Sequence, residues 1–283
     1  MAASRIASLT DEGAERLRAL PNGRLDAELL FRSASGLTRA QILAHPQDVV
    51  TEDVAKAFRT SLERREKHEP VQYITGRAAF WRDEFKVTPA VLIPRPETEM
   101  LVELLSNGLR AVESPLVLDI GTGSGCIALS ILRELPAARA VGIDISDAAL
   151  AIAQENAGAL GLNEPIAFVR SHWLDALGSQ AFDAIVSNPP YVAKTDEASL
   201  PRDVREFEPH LALFADEDDD LSSYRAIVES IGERLKTGGL LAFEVGVGQA
   251  ERVADLLTEG GYGSVAIRVD LQGIPRVVLG RRS

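Results

Sequence analysis

Cysteine is almost absent from this sequence, and so are long apolar runs. The 283 residues include a single cysteine, Cys126, which excludes an internal disulfide. No run approaches the roughly 20 consecutive apolar residues that a membrane-spanning helix requires. The opening stretch MAASRIASLTDEGAERL lacks the apolar core of a secretory signal and contains acidic residues, unlike an organellar transit peptide. We therefore expect a cytoplasmic protein that does not enter the membrane.

An excess of positive charge is also lacking. Lysine and arginine total 30 against 42 aspartates and glutamates, a formal net charge of −12. Proteins that hold nucleic acid non-specifically neutralise its phosphates with basic side chains, so this balance argues against a direct nucleic-acid partner. The hydrophobic share of 46% is typical of a folded globular protein and excludes a mainly disordered chain. No metal is predicted, because no metal-ligand spacing links the four histidines: His45, His68, His172 and His210.

The chain divides by pattern into three regions. Apolar residues recur at helical spacing through residues 1–75, where Thr51 is placed to begin a helix and the mixed-charge run 63–67 indicates a solvated helix face. Residues 71–96 contain the β-branched and aromatic segments VQYITG, AAFW and FKVTPAVLIP, which favour a hairpin or a pair of linking strands. We predict a helical domain over 1–75, a β-hairpin linker over 76–96 and a larger domain over 97–283.

The larger domain alternates apolar strands with helical patterns, which predicts an α/β fold with a largely parallel sheet and helices on both faces. The last two strands have no helix between them, so one should run antiparallel. The acidic run 216–220 is predicted to be a solvated loop. The expected strands are 116–120, 140–144, 166–170, 182–187, 240–245 and the closing pair SVAIRV and PRVVLG, and the expected helices are 126–134, 147–160, 221–235 and 249–259.

A glycine-rich loop, Asp119–Gly125, joins the first of these strands to a helix. Glycines allow the backbone to approach a ligand closely, and the helix N-terminus favours a negative group. The spacing Gly123-x-Gly125-x-x-Ala128 fits the looser dinucleotide-binding pattern, whereas the spacing from Gly121 places Cys126 where a third glycine is expected. Alone, the loop fits a cofactor site and a tight structural turn equally well. A Walker phosphate loop is excluded because no Gly-Lys-Ser/Thr follows.

Carboxylates end the first two strands of this region. Asp144 ends the second strand, where a carboxylate can accept both ribose hydroxyls of a nucleoside, although it could instead cap the next helix. Asp119 ends the first strand and could meet a cationic amino group. The pair suits S-adenosylmethionine, which has an ammonium group, a carboxylate and a ribose but no pyrophosphate.

The segment Ser187–Tyr191, with the sequence SNPPY, follows a buried strand and should lie at the ligand-binding edge of the sheet. Pro189 and Pro190 fix the backbone and lack N–H donors, Asn188 adds an acceptor oxygen, and Tyr191 can stack on a flat group. Together these groups complement a planar –NH₂, which favours N-methylation without a strong base. The alternative is a rigid turn with a buried tyrosine.

These motifs resemble the PrmC (HemK) family of peptide chain release factor N5-glutamine methyltransferases over essentially the whole chain. The Asn-Pro-Pro-Tyr motif is shared with many amino-methyltransferases, and the Pro-Arg-Pro-Glu-Thr-Glu block is more specific. The sequence departs from the family at Ala79, where relatives often have a glutamate before the phenylalanine. The matching segments are Leu25–Glu28, Gln72–Gly76, Leu92–Glu99, Asp119–Gly125, Gly142–Asp144, Ser171–Trp173 and Asn188–Tyr191.

The resemblance implies a class I S-adenosylmethionine-dependent methyltransferase, with a Rossmann-like, seven-stranded, mostly parallel sheet and a small N-terminal helical domain that docks the release factor. It implies that the glutamine of the factor's Gly-Gly-Gln loop enters between Asn188 and Tyr191. The expected catalytic residues are Asn188, Pro189 and Tyr191, with Pro190 joining them in substrate binding. The expected cofactor-binding residues are Asp119, Gly121, Thr122, Gly123, Ser124, Gly125, Asp144, Trp173 and Asn188. Trp173 could instead be a core aromatic.

Three other functions remain open from the sequence. The sister activity on a glutamine of a ribosomal protein shares the motif and the domain plan. Methylation of an exocyclic amine in nucleic acid also fits the motif, but it should require a basic groove that the sequence does not supply. A nucleoside-binding module without catalysis would not need acceptors that complement an amide. We expect a monomer that acts on a protein.

Overall fold

The structure is a computed structural model in which residues 4–216 and 219–283 are described. Glu217 and Asp218, in the predicted acidic loop, and the first three residues of the chain lie outside the described residues. The helices are α1 Ile6–Arg16, α2 Gly23–Ser35, α3 Arg39–Ala44, α4 Glu52–Glu66, α5 Val71–Thr75, α6 Glu99–Leu109, α7 Cys126–Glu134, α8 Asp147–Leu160, α9 Arg202–Phe207, α10 His210–Leu213, α11 Ser222–Ile231 and α12 Ala250–Glu259. The strands are β1 Ser4–Arg5, β2 Val49–Val50, β3 Arg77–Phe80, β4 Asp83–Lys86, β5 Leu116–Ile120, β6 Arg139–Asp144, β7 Ile166–Arg170, β8 Phe182–Ser187, β9 Leu235–Glu244, β10 Tyr262–Val269 and β11 Pro275–Arg282.

The chain forms two compact units. The first extends to Arg77 and includes Pro201–Phe207, and the second contains Ala78–Leu200 and Glu208–Ser283. Helices α1–α5 of the first unit enclose an apolar core in which the rings of Phe31 and Phe58 meet edge to face at 5.3 Å. The division into a helical domain over 1–75, a β-hairpin linker over 76–96 and a larger domain over 97–283 stays a prediction.

Helix α5 corrects the strand predicted from VQYITG. The carbonyl oxygen of Pro70 accepts hydrogen bonds from the amides of Tyr73 and Ile74 at 3.0 and 3.1 Å, which closes a helical turn. Gly76, with φ of 74°, then ends that turn in the left-handed conformation. The β-branched composition indicated a strand, but in a segment of five residues the flanking Pro70 and Gly76 decide the conformation. A hairpin does follow, formed by β3 and β4, and residues 87–95 contain no strand.

Helix α4 begins after its predicted cap but has a buried arginine in the run predicted to be solvated. The hydroxyl of Thr51 accepts the amide hydrogen of Val54 at 3.4 Å, which confirms the predicted start. Arg65 is buried, and its guanidinium donates to Asp26 at 2.7 Å and to the carbonyls of His68 and Glu69. The prediction of a solvated face is therefore wrong for Arg65, because this side chain has a buried carboxylate and two carbonyls as partners.

Loss of the carboxylate at Asp26 should destabilise the first unit. We expect Asp26→Ala to lower the free energy of unfolding by about 1.5–3 kcal/mol, the range for a hydrogen bond to a charged group, since Arg65 keeps its carbonyl partners. Urea denaturation would measure the change. Glu15→Ala is the matched control, because the Glu15–Arg18 pair is exposed and should change stability by no more than about 0.5 kcal/mol. Equal effects of the two variants would contradict a structural role for the buried pair.

The second unit contains a seven-stranded sheet in the order β10-β11-β9-β8-β5-β6-β7. Strands β9, β8, β5, β6 and β7 run parallel, and β11 runs antiparallel to both of its neighbours, as the sequence predicted. Consecutive residues of β5 face opposite sides, so Val117 joins an apolar core that includes α6 and α7 residues, whereas Leu118 joins one that includes α11 and α12 residues. Helices therefore cover both faces of the sheet.

The register of the central strands decides where the predicted site residues meet. Ile120 of β5 pairs with Ile143 of β6 on one side and with Ser187 of β8 on the other. The residues that follow these three strands therefore emerge at the same edge, where ligands bind in open α/β sheets. Across residues 4–216 and 219–283, none of the helices combines the length and the apolar character needed to cross a bilayer.

Candidate active site

A cavity of about 680 Å³ opens at this edge of the sheet. Residues from all three strand ends line it, so the fold brings together segments that are distant in the sequence. The predicted residues that line the cavity are Gly121, Thr122, Gly123, Ser124, Asp144, Trp173, Asn188 and Pro190. Four predicted residues are not among its lining: Asp119, Gly125, Pro189 and Tyr191.

The glycine-rich loop has the backbone that its sequence predicts. Gly121, Gly123 and Gly125 have φ of 70°, 55° and 80°, in the region that favours glycine. A Cβ on Gly121 would meet no atom within 4 Å, whereas a Cβ on Gly125 would lie 3.0 Å from the side chain of Leu129. Gly121 thus leaves open space at the cavity, and Gly125 allows helix α7 to begin close to its neighbours.

A side chain from helix α8, Asn156, supports the same loop. Its Nδ2 donates to the carbonyl of Ser124 at 2.9 Å and to that of Lys86 at 3.1 Å, and its Oδ1 accepts from the amide of Lys86 at 2.7 Å. Asn156 is buried, so it ties the loop to the end of the β3–β4 hairpin. Sequence reasoning missed this residue because Asn156 directly follows Gln154 and Glu155 in α8, and no pattern distinguishes it from these polar neighbours.

Asp144 orients the loop as well as lining the cavity. Its Oδ2 accepts the amide hydrogen of Gly123 at 3.0 Å, and its Oδ1 accepts that of Ser146 at 2.9 Å. Burial raises the pKa of this carboxyl, and the hydrogen bonds from Ser146 and Gly123 oppose that rise. The alternative of a helix cap does not hold for Asp144, because Ser146 caps α8 by accepting the amide hydrogen of Ala149.

Asp119 lies fully buried behind the loop rather than on the cavity wall. Its Oδ2 accepts from the hydroxyl of Thr122 at 2.8 Å and from the amide of Ala128 at 3.3 Å. Its Oδ1 has no hydrogen-bond partner among the described residues. Burial raises the pKa of Asp119 to about 7, although the hydrogen bonds from Thr122 and Ala128 favour its charged form. An unpartnered buried acceptor is costly unless a ligand satisfies it.

This raised pKa predicts how the stability of the ligand-free protein responds to pH. The native carboxyl of Asp119 holds its proton up to about pH 7 because its pKa is raised by burial, whereas the unfolded carboxyl loses it near its ordinary value of 3.8. The native state therefore binds more protons between these limits, and this contribution to stability falls as pH rises through that window. We expect Asp119→Asn to remove that part of the slope in urea denaturation measured from pH 4.5 to 7.5. An unchanged slope would contradict the assignment.

Hydrogen bonds hold the Asn188–Tyr191 segment, of which Asn188 and Pro190 line the cavity. The carbonyl of Tyr191 accepts from Nε2 of Gln249 at 2.9 Å, and the Tyr191 hydroxyl lies 3.5 Å from Oε1 of Glu244. Burial is the main cause of the raised pKa of the Tyr191 hydroxyl. The hydroxyl of Ser187 donates to the carbonyl of Ile120 at 2.8 Å, which joins the start of the motif to β5. The stacking role of Tyr191 stays a prediction.

Thr98 and Glu244 form a buried polar pair beside Asn188, and sequence reasoning assigned neither a role. Thr98 donates its hydroxyl hydrogen to Oε2 of Glu244 at 2.5 Å and accepts from Nδ2 of Asn188 at 3.3 Å. Burial raises the pKa of Glu244 to about 7. Thr98 lies within the Pro-Arg-Pro-Glu-Thr-Glu block, and this block is the sequence signal from which a role for Thr98 could have been predicted. Glu244 ends an apolar strand, and no local pattern marks it.

Glu208 connects two further walls of the cavity. Its side chain accepts from the amide of Ile93 at 3.1 Å and pairs with the guanidinium of Arg95 at 2.5 Å. Residues 90–95 and 209–216 both contribute to the cavity lining, so this buried carboxylate fixes one wall against the other. The role of Arg95 in the family block is thus structural at least in part.

Trp173 lies on the cavity wall in a strained backbone conformation. Its φ is 44°, which non-glycine residues rarely adopt, and such residues cluster at ligand sites. The ring lies 5.7 Å from that of His172 and packs partly against the apolar core. Trp173 thus lies where it could contact a cofactor and also packs as a core aromatic, the two alternatives given by the sequence. Stacking near adenine stays a prediction.

Comparison with known proteins identifies the family. Residues 8–76 match the family model described as the PrmC N-terminal domain, and residues 96–203 match the methyltransferase small domain. A release factor glutamine methyltransferase of Caulobacter vibrioides is 41% identical over 90% of this chain and 88% of that protein. One of Geobacter sulfurreducens is also 41% identical, over 93% of this chain and 91% of that protein. The chain belongs to the release factor glutamine methyltransferase family.

Solved structures agree with this fold at much lower sequence identity. The catalytic domain of hMettl16, in complex with MAT2A 3'UTR hairpin 6, has a TM-score of 0.59 and 17% identity, covering 84% of this chain and 85% of that chain. A methyltransferase from Pyrococcus furiosus has a TM-score of 0.51 and 14% identity, covering 70% of this chain and 88% of that chain. These likenesses support the Rossmann-like methyltransferase fold expected from the sequence.

The family membership makes this chain a methyltransferase whose cofactor is S-adenosylmethionine, and the cavity fits that cofactor. Open space lies above Gly121, and the buried Oδ1 of Asp119 is an acceptor without a partner in the described protein. Asp144 offers a half-buried carboxylate on the cavity wall. These acceptors can satisfy the hydroxyls of a ribose and an ammonium group, and the described cavity lining has no cluster of basic side chains for a pyrophosphate.

Proposed function

We propose that this protein methylates the side-chain nitrogen (N5) of the glutamine in the Gly-Gly-Gln loop of peptide chain release factors. The observation that carries the proposal is that one cavity is lined both by Asp144 and residues of the glycine-rich loop and by Asn188 and Pro190. The names of relatives that match this chain nearly end to end support the choice of substrate.

The chemistry of an amide nitrogen explains why the site needs acceptors rather than a base. The nitrogen lone pair of an amide is delocalised into its carbonyl, so the nitrogen is a poor nucleophile. Asn188 can accept one –NH₂ hydrogen through Oδ1, and the backbone around Pro189 and Pro190 can accept the other through a carbonyl. Such contacts orient the lone pair and stabilise positive charge that develops on nitrogen. Positioning of this kind can contribute about 7–11 kcal/mol to lowering the barrier.

We propose that Asp144, the glycine-rich loop and Trp173 hold S-adenosylmethionine. Asp144 would accept the ribose hydroxyls, the charge of Asp119 behind the loop would favour the ammonium group, and the amides of the loop at the start of α7 would face the carboxylate. When bound, this cofactor supplies the sulfonium methyl group. Helix α7 is nine residues long, so its N-terminus can contribute a positive potential at that end of the cavity.

The distribution of charge favours a protein substrate over a nucleic acid. Residues 78–283 contain 18 lysines and arginines against 31 aspartates and glutamates, so the methyltransferase part carries the negative charge of the whole chain. A negatively charged surface repels phosphates, and it is compatible with the uncharged Gly-Gly-Gln loop of a release factor. We further propose that the protein acts as a monomer and that it acts in the cytoplasm, where its single buried cysteine, Cys126, requires no oxidising environment.

Methyl transfer to purified substrates tests the proposal. The full chain is incubated with labelled S-adenosylmethionine and, separately, with a release factor, ribosomal proteins, RNA and DNA, and the product is mapped by mass spectrometry. We expect label on the glutamine of the Gly-Gly-Gln loop alone. A release factor with alanine at that glutamine is the matched control and should take no label. Label on a ribosomal protein or on a base would replace the proposal with the corresponding alternative.

A further inference from the structure

A buried acid lies behind the substrate-facing asparagine without touching the cavity. Glu244 is buried at the end of β9, and both of its oxygens face hydroxyl groups, Oε2 that of Thr98 at 2.5 Å and Oε1 that of Tyr191 at 3.5 Å. Thr98 is equally buried and lines the cavity together with Asn188. A carboxylate here is costly to bury, and the fold retains it beside the motif that should bind the amide.

The hydroxyl of Thr98 has one hydrogen, and this fact determines how Asn188 must be oriented. Because that hydrogen is donated to Glu244, the oxygen of Thr98 can only accept from its other neighbour. The neighbour is Nδ2 of Asn188 at 3.3 Å. With its –NH₂ directed at this acceptor, the Asn188 amide must turn Oδ1 away from it.

We propose that Thr98 and Glu244 are positioning residues that fix the Asn188 side-chain amide with its oxygen toward the substrate nitrogen. The inference rests on the proposed function of Asn188 as an acceptor for the substrate –NH₂. An asparagine amide can rotate by half a turn at little cost. The –NH₂ of Asn188 would then face the –NH₂ of the substrate, and two donors cannot form a hydrogen bond. The buried carboxylate removes that second orientation, because Thr98 can accept from Asn188 only while its own hydrogen goes to Glu244.

The direction of this hydrogen-bonded chain should depend on the charge of Glu244. The pKa of Glu244 is raised to about 7, mainly by burial; the hydrogen bond from Thr98 opposes the rise, the charge of Glu97 adds to it, and that of Arg276 opposes it. The other titratable groups that face Glu244 are Tyr191, Tyr224 and Cys126, whose own pKa values are raised mainly by burial, so they stay neutral near pH 7. A protonated Glu244 can donate to Thr98, which frees the Thr98 hydrogen for Oδ1 of Asn188. We therefore expect the productive orientation to be lost as pH falls below about 7.

Side-chain amide NMR of the ¹⁵N-labelled protein tests the orientation without relying on turnover. The Asn188 –NH₂ signals are identified by their absence in Asn188→Ala and followed from pH 5.5 to 8.5. Exchange rates are divided by the base-catalysed intrinsic rate at each pH, and we expect strong protection of the Asn188 –NH₂ above pH 7, weak protection at low pH, and a midpoint of this change near 7. Thr98→Val should abolish the protection, Thr98→Ser should preserve it, and Glu244→Gln should abolish the titration. Protection that is unchanged in Thr98→Val, or a midpoint that is unchanged in Glu244→Gln, would overturn the proposal.

Kinetics on the release factor provide the second measurement. We expect Thr98→Val to lower kcat about 10-fold or more with little change in KM and in the binding of S-adenosylhomocysteine. The original chain should lose kcat as pH falls below about 7, and Thr98→Val should lack this pH dependence. Thr98→Ser should stay within a few-fold of the original chain. Thr258→Val, in the exposed last turn of α12, is the matched control and should change nothing. If the original chain itself does not methylate the release factor, the proposed function fails, while the NMR titration still decides the orientation of Asn188.

Discussion

Asn188→Ala is expected to lower kcat by about 10²–10³-fold while the affinity for the cofactor changes little. The reason is that Asn188 supplies one of the two acceptors proposed to orient the substrate amide, and a preorganised polar contact at a reacting group contributes about this much. Its side chain lies on the cavity wall and is fixed by Thr98, so no neighbouring group is placed to replace it. Single-turnover kinetics on a release factor would measure the rate, and calorimetry with S-adenosylhomocysteine would measure the affinity.

A matched control separates this effect from a general loss of structure. Asn107→Ala removes an exposed asparagine from helix α6 and should leave both the rate and the melting temperature unchanged. Thermal unfolding of Asn188→Ala should remain close to that of the original chain, because the buried pair of Thr98 and Glu244 is intact. A variant that turns over at the original rate would contradict the acceptor role of Asn188.

Asp144→Ala is expected to weaken cofactor binding by about 10²-fold. Two hydrogen bonds from ribose hydroxyls to a carboxylate would together be worth about 3 kcal/mol, and each 1.4 kcal/mol is tenfold in affinity. The same change removes the acceptor of the Gly123 amide, so the loop also loses part of its support. Calorimetric titration with S-adenosylhomocysteine gives the dissociation constant directly. At saturating cofactor, kcat should recover to within about 10-fold of the original value.

The control for this second variant lies three residues further along the chain. Asp147 is an exposed acid in the first turn of α8 and pairs with Arg170. Asp147→Ala therefore removes a negative charge near the site without changing a residue that lines the cavity. Cofactor affinity should therefore be unchanged in Asp147→Ala. If both variants weakened binding equally, the effect would come from net charge, and the proposed role of Asp144 in holding the ribose would fail.

The two variants distinguish the halves of one cavity. The loss in Asp144→Ala should appear in binding and that in Asn188→Ala in turnover, because the two residues emerge from different strands on either side of β5. The opposite pattern would mean that the cofactor and the substrate amide occupy each other's proposed places.

Local sequence determined most of the second unit. The strands at 116–120, 166–170 and 182–187 and the helices at 126–134 and 147–160 were predicted with the bounds that the structure has. They are long, strongly patterned segments with glycine or capping residues at their ends, and such signals are contained in the segment itself. The glycine-rich loop was predicted for the same reason, since three positive φ values require glycine at three positions.

The errors occur where residues outside a segment, whether adjacent or distant in sequence, decide its structure. Val71–Thr75 is β-branched and aromatic, yet Pro70 and Gly76 close it into a helical turn. Arg65 lies in a run of charges that indicates solvent, but Asp26, 39 residues away in sequence, accepts its guanidinium in the core. No pattern within either segment carries that information.

The sequence by itself determined the fold class, the family and the residues that end strands β5, β6 and β8, because spacing and residue type suffice for these. Only the tertiary structure decided that Asp119 is buried behind the loop, that Asn156 supports it, and that Thr98 and Glu244 lie behind Asn188. The physical reason is that a buried polar side chain must find its hydrogen-bond partner in space. Glu244 finds that partner in Thr98, 146 residues away along the chain.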